Sequence, residues 1–199
     1  ISIGGARDVR PYAQDATVGL TLQPDALLLI KATLQAAGAL RKSLQKVEDR
    51  YPILFSYTSG LDDCKHLADA ISQIIDEQGV VLDSASARLF QIRHDAHAAH
   101  QRLHTRLQSF LNNSAYAPYL QENLITIRSG RYVIPIKAEA RGRIKGIVHD
   151  QSSSGATLFI EPLATVEINN QLRELELAEA EEIQRLLAAI TALIGRDAG

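Results

Sequence analysis

Apolar residues recur at spacings of three and four along most of this 199-residue chain, and the rhythm gives way to short β-type runs between residues 124 and 160. The first stripe is Leu27, Ile30, Leu34, Ala37, Leu40 and Leu44. It predicts a helix of about six turns, opened by Pro24 at the first helical position and Asp25 at the positive end. Tyr51-Pro52 should break that helix. A second is expected from about Asp62 to Gln78, with Leu67, Ile71, Ile74 and Ile75 facing inward and Gly79 ending it in a left-handed conformation. The third, capped by Asp83 or Ser84, carries Leu89, Ile92, Ala96, Ala99, Leu103 and Phe110, the seven-residue rhythm of a coiled-coil seam. From Ser84 to Asn112 it would measure roughly 44 Å. The last helix is expected from Pro162 to about Ile194, with Ile168, Leu172, Leu175, Ile183, Leu186, Ile190 and Leu193 on its stripe. Residues 1–22, with Gly4-Gly5 and Pro11 as breakers, read as an extended, turn-rich lead-in.

Between the two long helical patterns lie four short strand candidates: residues 124–127, 132–136, 144–149 and 157–160. Ser129-Gly130 supplies a turn between the first two. Pro135 lacks an N–H, so its strand must be an edge or be bulged there. Four short strands bury little by themselves and need helices beneath them. The fold class that follows is mainly α: a helical core plus two long antiparallel, coiled-coil-like helices carrying a small antiparallel β tip. The divisions are 1–82 for the core segment, 83–123 for the first stalk helix and its connection, 124–161 for the tip, and 162–199 for the returning helix.

The charge pattern sharpens this picture. Net charge is −2 overall, which argues neither for nor against a nucleic-acid partner. However, residues 128–145 hold Arg128, Arg131, Lys137, Arg141, Arg143 and Lys145 against Glu139 alone, while residues 161–186 hold seven glutamates against Arg173 and Arg185. Segregation of this kind focuses a field at one place on a molecule. A basic tip suits a grip on a polyanion, and the mixture of Arg and Lys on short strands suits phosphate contact over base reading. No run approaches the ~18 apolar residues of a membrane span, so no membrane partner is expected. A single cysteine, Cys64, excludes an internal disulfide and fits a reducing, cytoplasmic setting. With no methionine and Ile at the start, the chain reads as an excerpt of something longer.

Several residue groups invite a chemical reading. His149 and Asp150 precede Ser152, Ser153 and Ser154, but neighbours on a strand point to opposite faces, so both cannot serve one serine without distortion. No nucleophile-elbow glycines surround them. A polar turn with Gly155 at positive φ is the expected role. His94, His97, His100 and His104 share about a third of one helix's circumference beside the apolar seam. His100 and His104 could chelate a metal, yet no further ligand completes a site, so adventitious binding on an exposed face is expected. Glu174, Glu176, Glu179, Glu181 and Glu182 read as a solvated helix exterior, since paired-carboxylate catalysis needs a cleft. Neither a phosphate loop nor a dinucleotide fingerprint occurs, so no cofactor, small-molecule substrate or catalytic step is expected of this segment.

The segment Arg131-Tyr-Val-Ile-Pro-Ile-Lys137, then Gly146-Ile-Val-His-Asp-Gln-Ser-Ser-Ser-Gly-Ala-Thr-Leu-Phe-Ile-Glu-Pro162, then Ile168-Asn-Asn-Gln-Leu172, resembles the type-two MutS family, bacterial paralogues of mismatch-repair MutS. The lead-in Gly4-Gly5-Ala-Arg-Asp8 and the run from Ser84 to Arg93 look like that family too. The resemblance implies a lever and clamp excerpt, with His149, Asp150, Ser152, Ser154, Gly155, Glu161 and Pro162 as a structural motif. It also implies a dimeric parent whose ATP- and Mg-dependent ATPase and Smr nuclease domains lie beyond Gly199. DNA, branched or duplex, is the expected partner through Arg128, Arg131, Lys137, Arg141, Arg143 and Lys145, the family being associated with suppressing recombination. The alternative is a protein-interaction or ribosomal-RNA-binding element that transmits force, since some members rescue collided ribosomes. Phe159-Ile160-Glu161 matches the Phe-x-Glu mismatch wedge of MutS, but it falls where a strand meets a helix and Glu161 would cap that helix.

Overall fold

A computed structural model of the chain describes residues 4–58, 60 and 64–198. Its elements are helices α1 (Arg10–Thr17), α2 (Pro24–Gln45), α3 (Pro52–Ser56), α4 (Lys65–Ile74), α5 (Ala87–Leu111) and α6 (Val166–Asp197), with strands β1 (Thr126–Arg128), β2 (Arg131–Lys137), β3 (Gly146–Gln151) and β4 (Thr157–Pro162). The fold is thus mainly α with one small antiparallel sheet. The residues fall into two compact units, Ile1–Phe90 with Ala180–Gly199, and Gln91–Glu179.

In the first unit, Leu27 and Ile30 of α2, Leu67 and Ile71 of α4, Leu89 of α5, and Leu186, Leu187, Ile190 and Ile194 of α6 form one buried cluster. The expected stripes of α2 and α4 supply it. The lead-in departs from expectation: α1 occupies Arg10–Thr17. Pro11 sits in its first turn, where the missing N–H has no intrahelical acceptor to lose, so it starts this helix instead of breaking the chain. Asp8 accepts the Arg10 backbone N–H at 3.1 Å and both arms of the Arg10 guanidinium, which hold its carboxyl down at about 2.

Helix α4 also differs. Its expected start at Asp62 lies outside the described residues, and it ends at Ile74, four residues early. Ile75 bridges to Val81, and Asp76 Oδ1 accepts the N–H groups of Gln78 and Val80. Gly79 has the expected positive φ of 81°, but it turns this small loop and caps no helix. Asp76 wins here because a side chain that bonds nearby backbone N–H groups competes with helix continuation.

Helix α5 is capped by Ser86 and not by Asp83 or Ser84, which form a short 3₁₀ turn. Ser86 Oγ accepts the Leu89 N–H at 2.9 Å and donates to Glu182 Oε1 at 2.7 Å. Glu182 is the clearest departure from the reading of the glutamates as an exterior, since its side chain has no exposure. Arg185 grips both its oxygens, at 2.8 and 2.7 Å, and Arg88 lies 3.7 Å away. These bonds, Arg185 first and Ser86 second, lower its pKa from 4.5 to about 2.

In the second unit α5 and α6 run antiparallel: Arg93 meets Glu179 at 2.7 Å, and Arg102 meets Gln171 at 3.0 Å. Ala99, Leu103, Leu107 and Leu111 of α5 and Leu172 of α6 enclose a second core with Ile134, Ile136, Leu158 and Ile160 of the sheet. Leu107, absent from the expected stripe, has no exposure. The strand order is β1-β2-β4-β3, all antiparallel. Ser129 and Gly130, at φ 50° and 72°, make the two-residue β1–β2 turn, whose twist suits a hairpin. Pro135 pairs with Phe159 on β4, while its carbonyl accepts from Gln121. Its missing donor therefore faces the Leu120–Gln121 segment, which bridges β2 at Ile136, and no bond to β4 is lost. Pro162 closes β4 and does not open α6, which starts at Val166 after a 3₁₀ turn.

Two outcomes follow. Leu103→Ala empties part of a site that is 1% exposed and should cost about 2–5 kcal/mol in urea unfolding. Glu182 has a folded-state pKa below its unfolded one, so its stabilisation is complete above about 4.5 and is lost as pH falls toward about 2. Glu182→Gln should flatten that acid limb of the urea midpoint against pH, and an unchanged limb would refute the assignment.

Candidate nucleic-acid interface

The tip is organised around one buried carboxylate. Glu161 on β4 has no exposure, and its Oε2 lies 2.6 Å from His149 Nε2 and 3.3 Å from Arg131 Nε. His149 reaches it because β3 is bulged: Val148 pairs with Ile160 and Asp150 with Phe159, leaving His149 as the extra residue. That distortion frees His149 from strict alternation, yet it turns toward Glu161 and toward no serine. Glu161 therefore caps no helix, contrary to the expectation for it. Its Oε1 has no hydrogen-bond partner among the described residues.

Arg131 is also held by α6, through Asn170 Oδ1 at 2.6 Å. The neighbouring Asn169, 3% exposed, accepts the Tyr132 N–H at 3.1 Å and donates to the Tyr132 carbonyl at 3.2 Å. One amide side chain thus satisfies both backbone groups of a strand residue, and the Asn-Asn pair ties β2 to α6.

The six expected contact residues separate by their partners. Arg131 is committed to Glu161 and Asn170. Arg128 lies 3.3 Å from Asp150 Oδ2 and stacks over the Phe159 ring at 4.1 Å. Lys137 donates to the Pro118 carbonyl at 3.0 Å. Arg141, Arg143 and Lys145 are exposed, in the loop between β2 and β3, and form no ion pair among the described residues. Ala140 and Ile144, each 4% exposed, bracket Arg141 and Arg143 and bury the two ends of that stretch of the loop.

The serines make a turn. Ser152 Oγ accepts the Thr157 N–H at 3.0 Å, Ser154 Oγ stands 3.3 Å from it, and Gly155 has φ 74°. Asp150 is spent on Arg128 and the Gln151 N–H, so no Ser-His-Asp array forms. On α5, His100 stacks on His104 at 6.5 Å between centroids and meets the Tyr132 edge at 5.2 Å. Among the described residues no group of three or more His, Cys, Asp or Glu is placed to hold a metal. Among them, too, no helix is long and apolar enough to cross a membrane.

One surface of mixed polar and apolar character was missed in the sequence. Gln101, Arg102, Thr105, Arg106 and Ser109 of α5 line an open groove of about 1040 Å³ with Gln171 of α6. Arg102 and Arg106 stand one turn apart on one face, a spacing that could have signalled it.

A small basic β module rooted in a pair of long helices is the class this geometry defines. No family model matches the chain. It is 44% identical over 196 residues to a protein of Pelotomaculum thermopropionicum named Endonuclease MutS2, covering 98% of this chain and 25% of that protein. Proteins of the same name from Symbiobacterium thermophilum and Clostridioides difficile are 44% and 39% identical, over 100% and 98% of the chain and 25% of each relative. The chain belongs to the MutS2 family and spans about a quarter of the length of these relatives.

Removing Glu161 leaves Arg131 largely buried without its carboxylate. Glu161→Ala should cost about 3–5 kcal/mol in urea unfolding. Arg128→Ala, which breaks a half-exposed pair, should cost about 1 kcal/mol or less. Equal costs would show that Glu161 does not organise the tip.

Proposed function

We propose that this chain is the lever and clamp part of a longer nucleic-acid-binding protein, and that its tip grips the phosphate backbone through Arg141, Arg143 and Lys145. The observation that carries this reading is the separation of the tip's cations. Those bonded to Glu161, Asp150 and the Pro118 carbonyl build the sheet, while the loop presents three more to solvent on buried anchors. Exposed cations that form no ion pair among the described residues lose little on meeting a phosphate. Contact of this kind positions a ligand without reading its sequence. The name carried by the relatives, an endonuclease, supports a nucleic-acid ligand.

In this reading the segment performs no chemistry. Strand cleavage, and the ATP and Mg that the resemblance implies, belong to the other three-quarters of the full-length protein. A dimeric parent would present two tips, raising the effective concentration of the second contact once the first has formed. The paired α5 and α6 would carry movement between the tip and the remaining domains.

The test is a salt titration with the full-length protein. Each phosphate contact contributes about 0.9 to the slope of log affinity against log salt on duplex DNA. The triple variant R141A/R143A/K145A should reduce that slope by about 2–3 and weaken binding at low salt. An unchanged slope would overturn the assignment. A structured RNA run in parallel separates the ribosomal alternative, which requires the variant to lose RNA and retain DNA.

A further inference from the structure

The exposed loop cations border a groove whose interior is not cationic. Ile136, Ile144 and Ile160, all under 5% exposed, lie with Val148 and Leu163 along a cavity of about 620 Å³ that Arg141 and Lys145 also line. Val148 and Leu163 are 40% and 58% exposed, so apolar side chains meet water beside two cations that form no ion pair among the described residues. A Cβ on Gly146 would come within 2.5 Å of the Glu161 carbonyl, and this close approach of β3 to β4 holds the groove's wall in place.

A continuous duplex leaves this apolar surface unused. It presents phosphates and sugars outward and keeps the faces of its bases stacked inside. A ligand that satisfies both parts carries anionic groups next to a flat apolar one. We propose that the groove receives an unpaired nucleotide, with its flanking phosphates on Arg141 and Lys145 and its base against Val148 and Leu163. The volume falls within the ordinary range for ligand sites, about 300–1,000 Å³. Every base has an apolar face, so the site accepts any of the four. It prefers strands whose bases are already unpaired, because no stacking need be broken to fill it. This inference rests on the nucleic-acid reading of the tip and adds a ligand class to it.

The experiment uses the full-length protein at fixed salt and an oligonucleotide bearing 2-aminopurine, either single-stranded or annealed to its complement. The variant V148T/L163S removes apolar character from two exposed positions, and its unfolding midpoint checks that the fold survives. It should weaken single-strand binding about tenfold, abolish the 2-aminopurine intensity change and leave duplex binding unaltered. R141A/K145A should weaken both ligands. If R141A/K145A weakens both while V148T/L163S changes neither, or changes both equally, the groove assignment fails and the backbone grip stands. If R141A/K145A changes neither, the grip itself fails. An abasic strand binding as tightly as the intact one would also overturn the groove.

Discussion

A carboxylate sealed from water must be met by positive or donating groups, and the tip is arranged around meeting Glu161. Its Oε2 takes the Arg131 guanidinium and the His149 imidazole, from two strands that flank β4. Placing an imidazole there requires the bulge in β3, and placing a guanidinium there withdraws Arg131 from solvent. One buried carboxylate therefore sets the register of an edge strand and removes Arg131 from the set of exposed cations. That the segment from Gly146 to Pro162 is also where the family resemblance is most specific fits this role, since the bulge, the serine turn and Glu161 form one connected unit.

The unit Gln91–Glu179 joins that sheet to helices by two different means. Apolar residues of α5, Leu103 and Leu107 above all, pack under Ile134, Ile136 and Ile160. Polar residues of α6, Asn169 and Asn170, bond the strand that carries Arg131. The apolar contact supplies most of the burial and tolerates small displacements. The amide bonds are directional, and they fix where β2 lies along α6. In the unit Ile1–Phe90 with Ala180–Gly199 a second sealed carboxylate, Glu182, does comparable work by holding the Ser86 cap of α5 against α6. In both units a glutamate from the α6 side of the chain is used as a fixed internal anchor.

This use of glutamates qualifies the simple electrostatic picture of a basic tip and an acidic return. Formal charge counted along the sequence overstates both. Arg128 and Arg131 are neutralised by Asp150 and Glu161, and Glu179 and Glu182 are neutralised by Arg93, Arg185 and Arg88. The exposed cations that form no ion pair among the described residues are fewer and lie closer together, on the loop between β2 and β3.

Periodicity was enough to place α2, α5, α6 and the four strands, because the side chains that must leave water recur at the repeat of the element that buries them. Turn chemistry at Ser129-Gly130 and the break after α2 were legible for the same local reason. Element ends were less so: Pro11 opens α1, Asp76 stops α4, and Ser86 caps α5, each by a hydrogen bond or a missing donor whose competitor also stood in the sequence. The cations of the tip were all visible in the chain, but their roles were not. Glu161 lies thirty residues from Arg131 and twelve from His149, and nothing in residue spacing announces that three strands will bring these groups together. Charge partnership between distant residues is a property of the packed sheet. Local pattern names the candidates, and the partners each meets in three dimensions, Glu161, Asp150 or the Pro118 carbonyl, separate them.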